Sequence, residues 1–133
     1  MANILLVEDD PLVAATLRLL VELDPCHRVV AIADCLDQAV DAVSWHRIDL
    51  ALVDLQLTWG STGYMVADAL GRRGIRCIFV SANVPPWPMP ELAVGCIEKP
   101  FSADDVADAL RVALDSPGTR TLAATVSAGF ERY

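Results

Sequence analysis

A chain of 133 residues is one domain's worth, and its 54% apolar content suits a sheet covered on both faces. Ten basic against 18 acidic residues leave a net charge of −8 and a pI near 4.5, which argues against a nucleic-acid backbone or an anionic membrane as partner. No apolar run approaches the about 20 residues that a bilayer span needs, and no basic region followed by a long apolar stretch opens the chain, so a cytoplasmic location is expected.

The elements follow in chain order. Residues 3–7, ending in Leu5, Leu6 and Val7, form a short apolar run with strand character, and Glu8, Asp9 and Asp10 follow it. Asp10 suits the N-cap of a helix whose first position is Pro11. Leu12, Val13, Thr16, Leu17, Leu20 and Leu23 recur at helical spacing, so helix is expected over residues 11–24. A second strand is read at 28–33, and a second helix at 36–46, with Leu36, Ala39, Val40 and Val43 on one face. Residues 49–54 are the third strand. Leu50 to Val53 is an unbroken apolar run ending in Asp54, the pattern of a central parallel strand.

A loop with two glycines at 58–63 precedes a third helix at 64–73, closed by Gly74. The fourth strand, 75–80, ends at Ser81. Pro85, Pro86, Pro88 and Pro90 then deny a regular helix, leaving at most one turn over 91–94. A short fifth strand at 95–98 leads into Lys99, Pro100 and Phe101. Ser102 caps a last helix, with Asp104 and Asp105 in its first turn, that runs to about Asp115. Residues 1–115 are therefore read as one domain. Residues 116–133 are read as a tail too short for an output domain, unordered by default, with docking on the domain or on a second copy as the alternative.

This alternation predicts a flavodoxin-like, doubly wound α/β fold: a five-stranded parallel sheet in the order 2-1-3-4-5, with the fourth helix short or absent. The ends of strands one and three are neighbours in that order, so Glu8, Asp9 and Asp54 converge. Ser81 and Lys99 end strands four and five. Three adjacent carboxylates repel, and a divalent cation with oxygen ligands relieves this; Mg²⁺ suits few carboxylates plus waters and phosphate oxygens. With the lysine charge and the serine hydroxyl, the cluster describes a cradle for a phosphoryl group on Asp54.

Residues 4–11, the strand-terminal Asp54, the pair Ser81 and Ala82, and the run Lys99, Pro100 and Phe101 together resemble the motifs of response-regulator receiver domains of two-component signalling. The resemblance covers about residues 2–115 and implies a role for each position. Asp54 becomes the phospho-acceptor, served by a histidine kinase or a histidine phosphotransfer protein. Glu8 and Asp9 bind Mg²⁺ with the Asp54 side chain and the Gln56 backbone carbonyl. Ser81 is the hydroxyl that responds to the phosphoryl group, and Lys99 pairs with it. Ala82 is small, as phosphoryl access requires. Gln56 and Asn83 hold the positions that tune the lifetime of the phosphorylated state. Such a chain would signal by contact with a downstream protein, with a homodimer as one form, or would act as a phosphate sink; it would not be an enzyme beyond its own phosphorylation and dephosphorylation.

Three positions depart from the family pattern. Cys96 stands where an aromatic residue is usual, Thr58 where a proline is usual, and the proline-rich segment where a helix is usual. With Gly74, Ile75 and Phe79, these traits resemble a subgroup of stand-alone receivers. Two other readings stand beside this one. An Asp-nucleophile phosphohydrolase of the haloacid-dehalogenase kind would need a second Asp where Gln56 stands. A receiver-like interaction module would no longer take phosphate.

Among the remaining residues, Cys26, Cys35, Cys77 and Cys96 form no C-x-x-C pair and are expected as buried free thiols, with disulfides or zinc as alternatives. His27 and His46 read as structural or surface groups. Trp45, Trp59 and Trp87 read as packing residues, and Trp59 and Trp87 could instead form a partner surface beside the site.

Overall fold

The computed structural model describes residues 1–57, 62–114 and 129–133. The strands are β1 (Ala2–Val7), β2 (His27–Ala33), β3 (Leu50–Asp54), β4 (Arg76–Ser81), β5 (Gly95–Glu98) and β6 (Phe130–Arg132). The helices are α1 (Pro11–Val21), α2 (Leu36–Trp45), α3 (Gly63–Gly71) and α4 (Ala103–Leu114).

The sheet order is β2-β1-β3-β4-β5-β6. The first five strands run parallel in the expected order, and β6 pairs antiparallel with β5. The five-stranded expectation is corrected by one strand, contributed by the segment read as a tail. Phe130 explains why it docks: its ring is 4% exposed and joins the apolar layer of Ile97, Val106 and Leu110. Burying such a side chain is worth about 1.5–3 kcal/mol, enough to offset ordering a few backbone residues in part.

Alternation along the strands divides the core. Ile4, Leu6, Leu50, Leu52, Ile78 and Val80 face the layer of α1 and α4. Leu5, Val7, Ala51, Val53, Cys77 and Phe79 face the layer of α2 and α3. All five residues of β3 are buried, as an apolar run ending in one carboxylate suggests.

Local chemistry sets the helix limits. Asp10 caps α1 by accepting the Leu12 amide at 2.9 Å. Helix α1 ends at Val21 rather than Asp24, because the Asp24 carboxylate accepts the Cys26 amide at 2.8 Å and starts the turn into β2. Gly74 closes the turn after α3 at φ +77°, where a side chain would be strained. Ser102 and Asp105 cap α4 reciprocally: the Asp105 amide donates to Ser102 Oγ at 3.1 Å, and the Ser102 amide to Asp105 Oδ2 at 2.8 Å.

Between β4 and β5 the proline-rich stretch forms no helix. One turn appears, where the Ala93 amide donates to the Met89 carbonyl at 3.0 Å. Trp45 and Trp87 are 79% and 71% exposed, which corrects their reading as packing residues; Trp59 and Thr58 lie outside the described residues. Cys77 and Cys96 are buried free thiols, each pushed up to about 12 by burial. Cys26 is exposed and Cys35 half-buried, against expectation.

Candidate functional site

Parallel pairing brings the strand ends together. Val7 pairs with Val53, and Asp54 with Val80, so the residues that follow β1 and end β3 stand side by side at the point where strand order reverses. Glu8 and Asp54 are 3% and 4% exposed, and Asp9 is half-buried beside them. Their carboxylates offer oxygen atoms that all lie within 4.8 Å of one another.

Lys99 enters this cluster from the end of β5. Its amide donates to the Ser81 carbonyl at 2.9 Å, fixing the backbone, and its Nζ reaches Asp54 Oδ2 at 3.0 Å and Glu8 Oε1 at 3.1 Å. The other Asp54 oxygen, Oδ1, accepts the Gln56 amide at 2.9 Å. Glu8 Oε2 accepts the Asp10 amide at 3.3 Å.

The electrostatics follow from crowding. Burial, and then the shared hydrogen bond and negative charge of Asp54, push the Glu8 carboxyl up to about 7, against the opposing pull of Lys99. Burial works to lower the Lys99 ammonium pKa, but hydrogen bonds and charge from Asp54 and Glu8 outweigh it and hold the group above its ordinary value. One lysine thus serves two carboxylates with a third alongside, an excess of negative charge that a proton or a cation can relieve.

Of the residues expected at the site, Glu8, Asp9, Asp54 and Lys99 are brought together. Ser81 stands buried on the neighbouring strand end, but its hydroxyl closes a turn: it donates to the Asn83 carbonyl at 2.9 Å and accepts the Asn83 amide at 3.1 Å. Gln56 touches Asp54 through its amide. His27 lies near Asp24 at the far end of β2, and His46 is exposed after α2, both away from the cluster.

Gly63 was not singled out from the sequence. It opens α3 against the Asp54 and Leu55 backbone, where a Cβ would overlap the Asp54 carbonyl oxygen. The sequence signal was available, a glycine immediately before a helical pattern, but glycine is equally common there for turn geometry alone. Beside the cluster lies an apolar hollow of about 510 Å³ lined by Leu12, Val13, Thr16, Ala82, Pro100 and Phe101, with Lys99 at its border.

A doubly wound α/β domain with an acidic cleft at its topological switch point, bridged by a lysine, defines the class. The chain belongs to the response regulator receiver domain family, whose description matches residues 4–111. None of the curated proteins matches it. Among solved structures it is similar to the receiver domain of the PhyR response regulator from Erythrobacter litoralis, with 31% identity, a TM-score of 0.73, and coverage of 87% of this chain and 94% of that one. It is also similar to SdrG from Sphingomonas melonis Fr1, at 31% identity and a TM-score of 0.68 over 86% and 98% of the two chains. The signal receiver domain of a modulated diguanylate cyclase from Desulfovibrio desulfuricans G20 matches at 28% identity and a TM-score of 0.74, over 85% and 93%. Against a longer PhyR stress response regulator, at 34% identity and a TM-score of 0.69, 86% of this chain spans 45% of that protein.

Proposed function

We propose that this receiver domain accepts a phosphoryl group on Asp54 from a phosphohistidine of a histidine kinase or histidine phosphotransfer protein, and signals by contact with a downstream protein or acts as a phosphate sink. The observation that carries this reading is the position of Lys99 Nζ, which bridges Asp54 and Glu8 within hydrogen-bond distance inside a crowd of three carboxylates. In the transfer, an Asp54 carboxylate oxygen attacks phosphorus. The phosphorus–nitrogen bond breaks, its electron pair returns to the histidine ring, and that nitrogen takes up a proton from solvent.

The residues of this chain divide the work. Lys99 supplies fixed positive charge for the incoming phosphoryl oxygens. The Gln56 amide orients the Asp54 carboxylate. Ser81 turns its hydroxyl from Asn83 to the new group, and Ala82 leaves room for it. Glu8, Asp9, Asp54 and the Gln56 carbonyl are the residues that would hold Mg²⁺, and their fit is supported by the three carboxylates, whose oxygen atoms lie within 4.8 Å of one another. When bound, the ion supplies further neutralisation of the phosphoryl charge.

The apolar hollow beside Lys99 supports docking of the phosphodonor protein. Leu12 on its rim is 76% exposed, next to the acceptor. A cytoplasmic site of action accords with this role, and no described helix is long and apolar enough to cross a membrane. The test is incubation with acetyl phosphate and Mg²⁺, followed by intact mass. Wild type should gain one phosphoryl adduct and Asp54→Asn none; an unmodified wild type, or an adduct retained in the variant, rejects the reading.

A further inference from the structure

The end of the sheet away from Asp54 carries a second cluster of side chains, opposite in charge. Strand β3 enters at Leu50, in register with Ile4 and Arg76, and leaves at Asp54. Five residues of parallel strand put about 13 Å between the two ends. At the entering end, β1 and β2 pair Asn3 with Arg28. Arg28 Nε donates to Asn3 Oδ1 at 3.0 Å, and Asn3 Nδ2 donates to the Arg47 carbonyl at 2.8 Å. That row joins the start of β2 to the end of α2, where Trp45 is the last helical residue. Helix α3 packs in the same layer as α2 and ends at Gly71, so Arg72 and Arg73 leave it at the same end of the domain.

The cluster faces water. Trp45 and the side chains of Arg47 and Arg72 are each more than three-quarters exposed, and Arg28 and Arg73 are exposed too. Their partners leave much of the positive charge unneutralised. Arg28 meets an amide oxygen, and Arg73 Nη1 donates to the Ala69 carbonyl at 3.1 Å; both acceptors are neutral. Arg47 Nε stands 3.8 Å from Asp49 Oδ1, while the other Asp49 oxygen accepts the Asn3 amide at 2.7 Å. Arg72 pairs with Asp68 at 3.1 Å across one turn of α3, an exposed pair of the kind that contributes little in water. The helix dipole accounts for cations at the end of α3. It does not account for an exposed tryptophan, nor for Arg28, which stands at the start of a strand.

Tryptophan and arginine dominate partner contacts, and guanidinium forks match carboxylates in shape and charge. A positive patch on a chain of net charge −8 selects anions, and its size selects among them. Asp41 lies one turn before Trp45 on α2, and Asp68 one turn before Arg72 on α3, both exposed, so acids bound the patch. A long polyanion or a charged lipid surface would meet those acids as well as the arginines. A short acidic stretch of a protein, with one apolar side chain to lie on the indole, meets the arginines alone.

We propose that Trp45, Arg28, Arg47, Arg72 and Arg73 form a docking site for an acidic peptide segment of a partner protein, held whether or not Asp54 carries a phosphoryl group. The site stands apart from the phosphorylation reading, because a segment bound at this end leaves the cleft of Glu8, Asp9 and Asp54 open. The chain is then tethered through one end and phosphorylated at the other.

The test is an NMR titration of the full chain with a short synthetic peptide of glutamates around a central leucine, and with the same peptide carrying glutamines instead. The Trp45 indole and the amides of Arg47 and Arg73 should shift and saturate with the glutamate peptide and stay in place with the glutamine one. Trp45→Ser and Arg47→Glu should each weaken binding about tenfold while the rest of the spectrum keeps its dispersion. The absence of a saturating shift, an equal response to the glutamine peptide, or undiminished binding by both variants overturns the proposal. So does a stronger response of the same resonances to single-stranded oligothymidylate or to phosphatidylserine vesicles. Shifts at Trp45 together with Glu8 and Asp9 on raising the protein concentration alone would make a second copy the occupant and overturn it too. Mg²⁺ and beryllofluoride should leave the peptide affinity within about twofold, and a larger change would overturn the independence from Asp54.

Discussion

Around Asp54, each charged group stands on the end of a strand buried on both faces. Along residues 83–94 and β6, the chain is held by single turns, one-step bonds and a three-pair ladder. The first region is positioned by the core itself. Glu8, Asp54 and Lys99 cannot separate without sliding parallel strands whose apolar side chains are fully covered. The second region is positioned by a few contacts, most of them made by backbone groups. A receiver needs both: a cleft that holds repelling charges still, and a surface loose enough to change.

The comparison can be broken most severely at Lys99. In Lys99→Met, Glu8 and Asp54 face each other without their shared cation. Urea unfolding at pH 8 should show a loss of about 3 kcal/mol, the scale for breaking a buried pair. The loss should shrink at lower pH, where Glu8 takes a proton. An unchanged midpoint would mean that the cleft is not held by charge.

The pH profile tests the same point without a substitution at the lysine. The Glu8 carboxyl is raised from 4.5 to about 7 in the folded chain, so folding favours its protonated form. That stabilisation is fully present below about 4.5 and is lost as pH rises through about 7. In magnesium-free buffer the stability should fall by on the order of 2 kcal/mol between pH 5 and 8. Glu8→Gln should flatten this part of the curve; an equally steep curve in the variant would assign the effect elsewhere.

Gly63→Ala sharpens the comparison, because Gly63 joins the first turn of α3 to the Asp54 backbone. The added Cβ must displace the Asp54 carbonyl or the helix start. A destabilisation of about 1–3 kcal/mol is expected by thermal unfolding, with slower labelling by acetyl phosphate. Wild-type stability and labelling would show that the close approach is dispensable. The smallest effect belongs to the looser region. Trp87 is 71% exposed, and Trp87→Ser should change stability by less than about 0.5 kcal/mol. A larger loss would show that residues 83–94 are anchored more firmly than their bonds suggest.

The cluster around Asp54 was more legible than the region from residue 83 to β5. An unbroken apolar run into Asp54, acids after β1, and Lys99 after β5 could be placed because strand order converts sequence position into spatial neighbourhood. The Ser81 hydroxyl was placed on the correct strand end, but its partner was not, since a short side chain chooses among local backbone groups by distances that spacing does not carry. The proline density forecast the missing helix correctly, for a purely local reason. The exposure of Trp45 and Trp87 ran against their hydrophobicity, because burial depends on which layer has room.

By itself, the sequence determined the α/β alternation, the parallel order of five strands, and the acidic cleft with its lysine. Periodicity, caps and strand-end residues act locally, and parallel topology leaves few ways to assemble them. Only the tertiary structure decided that the last residues complete the sheet. Phe130 and Tyr133 carry no strand pattern of their own in so short a segment. Their places depend on the absence of a side chain at Gly95 and on the two apolar layers that β5 leaves open at its edge.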